Sequence, residues 1–302
     1  MSGYVDLQVN GFAGVDFSTP ELCSDSFMRA AEKIFASGTE IFLPTIVTSD
    51  ISLYERNINV IKAAAEKHSL EKNIPGVHLE GPFISREKGA VGCHNPLYVR
   101  DCDCQWMLDL FARTGNFVKM MTVAAELDGV ENLIACASEN GVVVSLGHHL
   151  ATSKDLDRCA KAGARALTHL GNGCPNIMDR HCNPLWAGLA CDELIAMIIT
   201  DGHHLPGELI KCMVRIKGID RIIATSDAAP VAGLPPGRYH MLNNDAVLVP
   251  DGKFHNPEKG CLVGSSASMA DCVEFLKSLD ILSDEELYKV SFYNAAKLIG
   301  AI

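Results

Sequence analysis

Hydrophobic and polar positions along this chain follow two alternating patterns. Short apolar and β-branched runs recur eight times, and amphipathic stretches with apolar residues three and four positions apart separate most of them. This alternation is typical of a parallel sheet covered by helices, and we predict a (β/α)8 TIM-like barrel of the α/β class. The predicted strands are residues 4–9, 40–45, 74–80, 117–123, 142–147, 165–170, 194–200 and 221–227.

Residues 237–264 break this rhythm. Their alternating residues and an Asp251-Gly252 turn predict a β-hairpin inserted after the eighth strand. Two further helices, around residues 266–278 and 283–298, are predicted to end the chain. A length of 302 residues fits one barrel, and no linker or repeat interrupts the sequence, so we predict a single domain over residues 1–302.

Composition and charge narrow the function classes. The formal net charge is -11 and no run of Lys and Arg is present, so nucleic acid is not an expected partner. No apolar run reaches the roughly 18 to 20 residues of a membrane helix, and the N-terminus has no signal-peptide pattern. The 12 cysteines are scattered, which fits a reduced compartment better than a disulfide scaffold. We expect a soluble cytoplasmic protein with no membrane partner.

Polar side chains follow most of the predicted strands at the point where each strand ends. In a parallel barrel these ends share one face, so the side chains are expected to converge there. The residues are Gln8, Asn10, Glu80, His148, His169, His203, His204 and Asp227. Any one of them could be a buried group paired with the backbone, but a set of them at one rim favours a site.

Glu80, His148, His169 and Asp227 are the groups in this set that suit a metal. Acidic groups held together in a core repel each other unless a cation is bound. Two histidines and a carboxylate with an open position suit catalytic zinc, which acidifies a bound water and polarises a carbonyl, as amide hydrolysis requires. Asp227 is then either a further ligand or, as we favour, the general base and acid.

At these residues the chain resembles the N-acetylglucosamine-6-phosphate deacetylases of the amidohydrolase superfamily. The similarity runs in order over nearly the whole chain, through DLQVNG (6–11), GVHLEGPFI (76–84), SLGHH (145–149), THLGN (168–172), TDGHH (200–204), ATSDAAPVAG (224–233) and NAAKLIG (294–300). The resemblance implies that Glu80, His148 and His169 bind one divalent metal ion and that Asp227 is the catalytic acid and base. Zinc is the favoured ion, and Fe²⁺, Co²⁺ or Mn²⁺ fit the same ligands.

Two further residues are assigned by the resemblance at the first strand. Gln8 and Asn10 replace the two histidines of the H-x-H that many binuclear amidohydrolases carry, which indicates the mononuclear branch. We expect Gln8 or Asn10, together with Asp227, to orient the water on the metal.

The resemblance also implies which residues bind the substrate. His94 would lie at the scissile acetamide and stabilise the oxyanion, and His204 would contact a sugar hydroxyl or the carbonyl. Asn172 and Gly173 would contact the 6-phosphate. Arg180 would help, although an ordinary exposed loop arginine explains it equally well.

The implied reaction is hydrolysis of N-acetylglucosamine 6-phosphate to glucosamine 6-phosphate and acetate. Hydrolysis of another N-acyl sugar or of a cyclic amide is an alternative, and so is a non-catalytic sugar-phosphate binder. The resemblance also implies a homodimer. It leaves His181 and His203 without a role.

Three features depart from the family pattern. The small β-sandwich domain of the family is expected to be lacking. The stretch GCPNIMDRHCNPLWAGLA (173–190) replaces the usual N-A-M sequence where the phosphate would bind, and KGAVGCH (88–94) has two extra residues before His94. The last two departures lie where the phosphate and the acetamide would bind, so they bear on which substrate is recognised.

Overall fold

Eight parallel strands form the centre of the protein, whose residues 3–302 are described by a computed structural model. Each strand pairs with the next one along the chain, and β1 meets β8 through a bridge between Val9 and Ala228. The strands are β1 Tyr4–Val9, β2 Thr39–Val47, β3 Val77–Glu80, β4 Val118–Val123, β5 Val143–Leu146, β6 Ala166–Leu167, β7 Ile195–Ile199 and β8 Ile222–Thr225. The prediction of a parallel α/β barrel is confirmed.

Helices cover the outside of this sheet. In α1, the buried residues Phe27, Ala30, Ala31 and Ile34 recur at three and four positions, so one face packs on the barrel. The helices are α1 Ser24–Ala36, α2 Ile51–Lys67, α3 Cys104–Arg113, α4 Val130–Glu139, α5 Ser153–Ala162, α6 Pro184–Ala190, α7 Gly207–Lys217, α8 Met269–Ser278, α9 Asp284–Tyr288 and α10 Asn294–Leu298. A π-helical turn, Lys289–Tyr293, joins α9 to α10.

The barrel has a separate inner core. Val5, Leu43, Met120, Met197 and Ile223 point into it from five different strands and are fully buried. The last helix packs on the same cluster through Ala295, Ala296 and Ile299. Within residues 3–302 the barrel interior is therefore filled with side chains, as is usual for this fold.

A four-stranded antiparallel sheet follows β8, where the sequence predicted one hairpin. Its strands are β9 Gly237–Met241, β10 Asn244–Leu248, β11 Phe254–Asn256 and β12 Cys261–Leu262. Asp251 and Gly252 lie in the turn between β10 and β11, while the β9–β10 turn is formed by Leu242 and Asn243 with φ of 51° and 56°. Leucine rarely adopts this left-handed conformation, so local preference did not predict a turn at Leu242.

The antiparallel sheet packs on the barrel at the end where the active residues are expected. Ala246, Leu248 and Phe254 of the sheet share a buried cluster with Val47, which ends β2, and with Ala229, which follows β8. This sheet is therefore part of the wall around the strand carboxyl ends.

Cysteine pairing and helix hydropathy are the last two features of the fold. All 12 cysteines lie within residues 3–302 and none forms a disulfide. In this same described part of the chain, no helix is both long enough and apolar enough to cross a bilayer.

We expect Leu43→Ala to lower the free energy of unfolding by about 2 to 5 kcal/mol, because Leu43 is completely buried in the inner core. Leu97→Ala is the matched control, since Leu97 is 86% exposed and its truncation should change the free energy by less than about 0.5 kcal/mol. Urea denaturation of both variants measures the difference. Equal effects would contradict the assignment of the inner core.

Candidate metal centre and active site

Four of the predicted residues meet above the carboxyl ends of the barrel strands. Glu80 is the last residue of β3, and His148, His169 and Asp227 each lie two residues beyond the end of β5, β6 and β8. All four side chains are buried. The common placement follows from the parallel barrel, which delivers the residue after each strand to the same face.

The backbone at three of these residues is in an unusual conformation. His148, His169 and Asp227 have φ of 51°, 32° and 51°, in the left-handed region that residues with a Cβ rarely adopt. Such strain persists only where the surrounding structure holds it, and it concentrates at functional positions. It also explains why the predicted strand 165–170 stops early, since the chain turns at His169 and β6 ends at Leu167.

Glu80 faces the two histidines at hydrogen-bonding distance. Its Oε1 lies 3.2 Å from His148 Nε2 and 2.9 Å from His169 Nε2, and these two nitrogens are 3.0 Å apart. Burial alone would raise the pKa of Glu80, but the hydrogen bonds from His148 and His169 hold this pKa well below its usual range. The carboxylate is therefore ionised in a buried site.

The hydrogen bond at the far side of His148 defines its tautomer. Nδ1 lies 2.7 Å from the carbonyl oxygen of Ala90, an acceptor only, so Nδ1 carries a proton, and Nε2 either donates a second proton to Glu80 or, without that proton, presents a lone pair to a metal ion. Lone pairs and an ionised carboxylate converging at these distances repel each other unless a cation lies among them. Glu80, His148 and His169 are able to hold a metal ion, and their donor set fits catalytic zinc.

Gln8 and Asn10, at the end of β1, each bond to one carboxyl group of the site. Gln8 Nε2 donates to Glu80 Oε1 at 2.7 Å, and Asn10 Nδ2 donates to Asp227 Oδ1 at 2.7 Å. The ionised Glu80 only accepts, so the amide of Gln8 is fixed in orientation, and Gln8 Oε1 and Asn10 Oδ1 are buried without a donor within residues 3–302. Buried acceptors normally have partners, so these oxygens fit a water or an N–H group brought by the metal or the substrate.

The pKa values of Asp227 and His94 both lie far from their usual values. Burial, together with the negative charge of Glu80, raises the pKa of Asp227 to about 8. Burial, together with the neighbouring His148, lowers the pKa of His94 to about 3. His94 Nε2 is 3.2 Å from His148 Nε2, so the structure brings His94 into the same group as a neutral imidazole.

His204 lies beside a carboxylate that sequence reasoning did not single out. Asp201 accepts hydrogen bonds from His204 Nδ1 and from Ser265 Oγ, each at 2.8 Å, and from the backbone N–H groups of His203 and His204. Burial acts to raise the pKa of Asp201, but hydrogen bonding to His204 holds it well below its usual range. The available signal was the TDGHH segment, which carries Asp201 and His204 three residues apart.

The predicted phosphate residues divide into two groups. Asn172 donates to the carbonyl oxygen of His169 through its backbone N–H at 2.9 Å, and Gly173 passes so close to the histidines that an added Cβ would lie 3.0 Å from His148 Nδ1. Both therefore adjoin the metal group. Arg180 is in an exposed loop, and within residues 3–302 its guanidinium makes no hydrogen bond or ion pair.

A polar layer lies directly beneath the metal group and was missed from the sequence. His78 contacts the carbonyl oxygen of Leu7 through Nδ1 and Thr122 Oγ1 through Nε2, and Thr122 hydrogen-bonds to Thr168 at 2.7 Å. Burial lowers the pKa of His78 to about 4, so this layer is uncharged. The sequence position of His78 could have indicated this layer, because His78 lies two residues before Glu80 in the same strand and therefore faces the same side.

Of the two unassigned histidines, His203 hydrogen-bonds through Nε2 to the carbonyl oxygen of Asp251, at the antiparallel sheet. His181 is exposed in the loop before α6, where its backbone N–H donates to Asp179. Neither contact connects these residues to the metal group.

Comparison with known proteins gives similarities over nearly the whole chain, although no protein-family model matches it. N-acetylglucosamine-6-phosphate deacetylase of Bos taurus is 30% identical over 309 residues, which are 99% of this chain and 74% of that protein. N-acetylgalactosamine-6-phosphate deacetylase of Shewanella sp. (strain ANA-3) is 30% identical over 280 residues, 91% of this chain and 68% of that protein.

Solved structures of N-acetylglucosamine-6-phosphate deacetylases are also similar to this chain. A mutant N-acetyl-D-glucosamine-6-phosphate deacetylase from Mycobacterium smegmatis, in complex with N-acetyl-D-glucosamine 6-phosphate, has a TM-score of 0.89 at 26% identity. The similarity covers 99% of this chain and 77% of that chain.

We expect zinc to stabilise the metal-free protein, because an ion that binds only the folded state adds about 2.7 kcal/mol at a hundredfold excess over its Kd. His169→Ala should lose most of this gain, and His181→Ala, in an exposed loop, should keep it. Thermal unfolding with and without zinc measures both. An equal rise in Tm for the two variants would rule out the Glu80, His148 and His169 group as the metal site.

Proposed function

The chain belongs to the N-acetylglucosamine-6-phosphate deacetylase family, and on that premise we propose that it hydrolyses N-acetylglucosamine 6-phosphate to glucosamine 6-phosphate and acetate. The observation that carries this proposal is the convergence of Glu80, His148 and His169 on one point, at the face of the barrel where Gln8 bonds to Glu80 and Asn10 bonds to Asp227.

The proposed cofactor is one divalent ion per subunit, held by Glu80, His148 and His169. Zinc fits this donor set best, and Fe²⁺, Co²⁺ or Mn²⁺ can use the same ligands. When bound, such an ion acidifies a water molecule and polarises the substrate carbonyl.

Asp227 is the proposed proton carrier. It takes a proton from the attacking water as the new C–O bond forms at the acetyl carbonyl, and it returns that proton to the amine as the C–N bond breaks. Burial and the charge of Glu80 raise the pKa of Asp227 to about 8 without a metal ion, and a cation held by Glu80 would lower it toward the range in which the group takes the proton from water and returns it to the amine. The hydrogen bond from Asn10 at 2.7 Å orients the carboxyl group.

Gln8 and His94 complete the proposed reaction site. The buried oxygen of Gln8 can accept from the water, since its amide nitrogen is already bonded to Glu80. His94 is buried and neutral, so it can donate one N–H to the oxygen on which negative charge develops.

The proposed substrate contacts lie around this centre. His204, held by Asp201, would bind a sugar hydroxyl or the carbonyl, and Asn172 and Gly173 would bind the phosphate with help from Arg180. We further propose that residues 1–302 act as one domain in the cytoplasm, where the family resemblance favours a homodimer.

N-acetylgalactosamine 6-phosphate is a second candidate substrate. The Shewanella relative that is 30% identical to this chain is named for that sugar, which differs from N-acetylglucosamine in one hydroxyl configuration. The metal group and Asp227 act on the acetamide, so they are compatible with either sugar.

Asp227→Asn should lower the rate of acetate release by about 10²- to 10⁴-fold, because an amide cannot accept and return the proton. Its bound metal should be unchanged, since Glu80, His148 and His169 remain. Asp25→Asn, at an exposed position in α1, is the control and should keep the wild-type rate. Metal analysis and an acetate assay on the same samples measure the metal content and the rate. Near-normal turnover of Asp227→Asn would refute the proposed role of Asp227 as proton carrier.

A substrate panel should show that the phosphate matters. If Asn172, Gly173 and Arg180 bind it, the phosphorylated N-acetyl sugars should exceed unphosphorylated N-acetylglucosamine by about 10- to 100-fold in kcat/KM, as expected for hydrogen bonds to a charged group. The panel includes both 6-phosphate epimers and a cyclic amide. Equal rates with and without the phosphate, or a preference for the cyclic amide, would overturn the proposed substrate.

A further inference from the structure

The loop that carries His94 is fastened to the antiparallel sheet at one point. The carbonyl oxygen of Cys93, immediately before His94, accepts a hydrogen bond from Asn244 Nδ2 at 3.0 Å and another from Lys259 Nζ at 3.3 Å. Asn244 begins β10 and is 1% exposed, whereas Lys259 is exposed. The buried contact joins residues that are 151 positions apart in the chain.

Every polar atom of the Asn244 side chain has a defined partner. Its Nδ2 also donates to the carbonyl oxygen of Leu242 at 2.7 Å, and its Oδ1 accepts from Asn256 Nδ2 at 3.1 Å. Carbonyl oxygens only accept, so the amide group cannot be turned around. Asn256 is fixed in turn, because its Oδ1 accepts from the backbone N–H groups of Glu258 and Lys259.

His94 itself has little else to hold its ring. Its Nδ1 is buried without a partner within residues 3–302, and its Nε2 faces only the other site imidazole, His148, and Glu80. The position of the ring therefore depends on the backbone next to it. That backbone is anchored at the Cys93 carbonyl.

The same loop also supports His148. Ala90 supplies the carbonyl oxygen that accepts from His148 Nδ1, and Gly92 lies so near the ring that an added Cβ would be 3.1 Å from His148 Cε1. These residues belong to the KGAVGCH segment (88–94), so one loop contacts His148 and carries His94.

We propose that Asn244 is a positioning residue, which holds His94 in place for the deacetylation reaction through the carbonyl of Cys93. This inference rests on the proposed function. It assigns to the antiparallel sheet a task in the active site, in addition to closing its wall.

The test compares Asn244→Ala in two backgrounds of the metal-loaded chain of residues 1–302. In the wild-type background we expect kcat/KM for N-acetylglucosamine 6-phosphate to fall by about 10- to 100-fold, mainly through kcat, as for loss of a residue that orients a reacting group. In the His94→Ala background the same substitution should cause no further loss, because the ring that it positions is gone. An equal fold-loss in both backgrounds, or no loss in either, would overturn the proposal.

Asp245→Asn is the matched control, since Asp245 is the next residue in β10, is exposed and bonds only to His240 on the sheet. It should leave kcat/KM unchanged. If Asn244→Ala fails to fold, Lys259→Met replaces it, because this exposed residue donates to the same carbonyl. A loss of a few-fold that disappears in the His94→Ala background is then expected, and a loss that persists there would refute the proposal.

A readout without metal or turnover separates this proposal from the proposed function. In metal-free protein containing isotope-labelled histidine, the ring signal of His94, identified by its absence in His94→Ala, should shift in Asn244→Ala and stay in place in Asp245→Asn. If the wild type releases no acetate, the proposed function fails, while this signal still tests the positioning. An unchanged signal in Asn244→Ala would count against it.

Discussion

The contact of Glu80 with His148 and His169 is the interaction on which the rest of the site depends. An ionised carboxylate that is only 3% exposed is costly unless charge and hydrogen bonds compensate it. Gln8 supplies one of these hydrogen bonds, and the neutral layer around His78 lies beneath the site and adds no charge. The remaining requirement is a positive charge among the three ligands, which makes this group specific for a cation.

The barrel explains how this arrangement is built. Parallel strands place Glu80 and the residues just beyond β5, β6 and β8 on one face, and the left-handed backbone at His148, His169 and Asp227 accompanies the turn of the chain there. Such conformations need support from the surrounding packing. The apolar inner core fills the barrel and supplies this packing.

Supporting contacts come from outside the barrel strands as well. Asp201 fixes His204 and is itself bonded to Ser265. Asn244 bonds to the loop that carries His94, and this loop also contacts His148. The antiparallel sheet is therefore connected to the site by specific hydrogen bonds as well as by apolar packing. The enclosure excludes water from His94, and this burial keeps its imidazole neutral.

Residue patterns along the chain were enough to predict the eight strands, the barrel, and the four residues that meet at its mouth. Periodicity predicts each strand locally, and the parallel fold then places every strand end on one face, so no long-range contact had to be known. Three features became visible only in the folded molecule: Asp201 bonds to Ser265, Asn244 bonds to Cys93, and a four-stranded sheet stands where one hairpin was predicted. Those features depend on residues distant in the chain and on backbone conformations, such as that of Leu242, that contradict local preference, so no periodic pattern in the sequence encodes them.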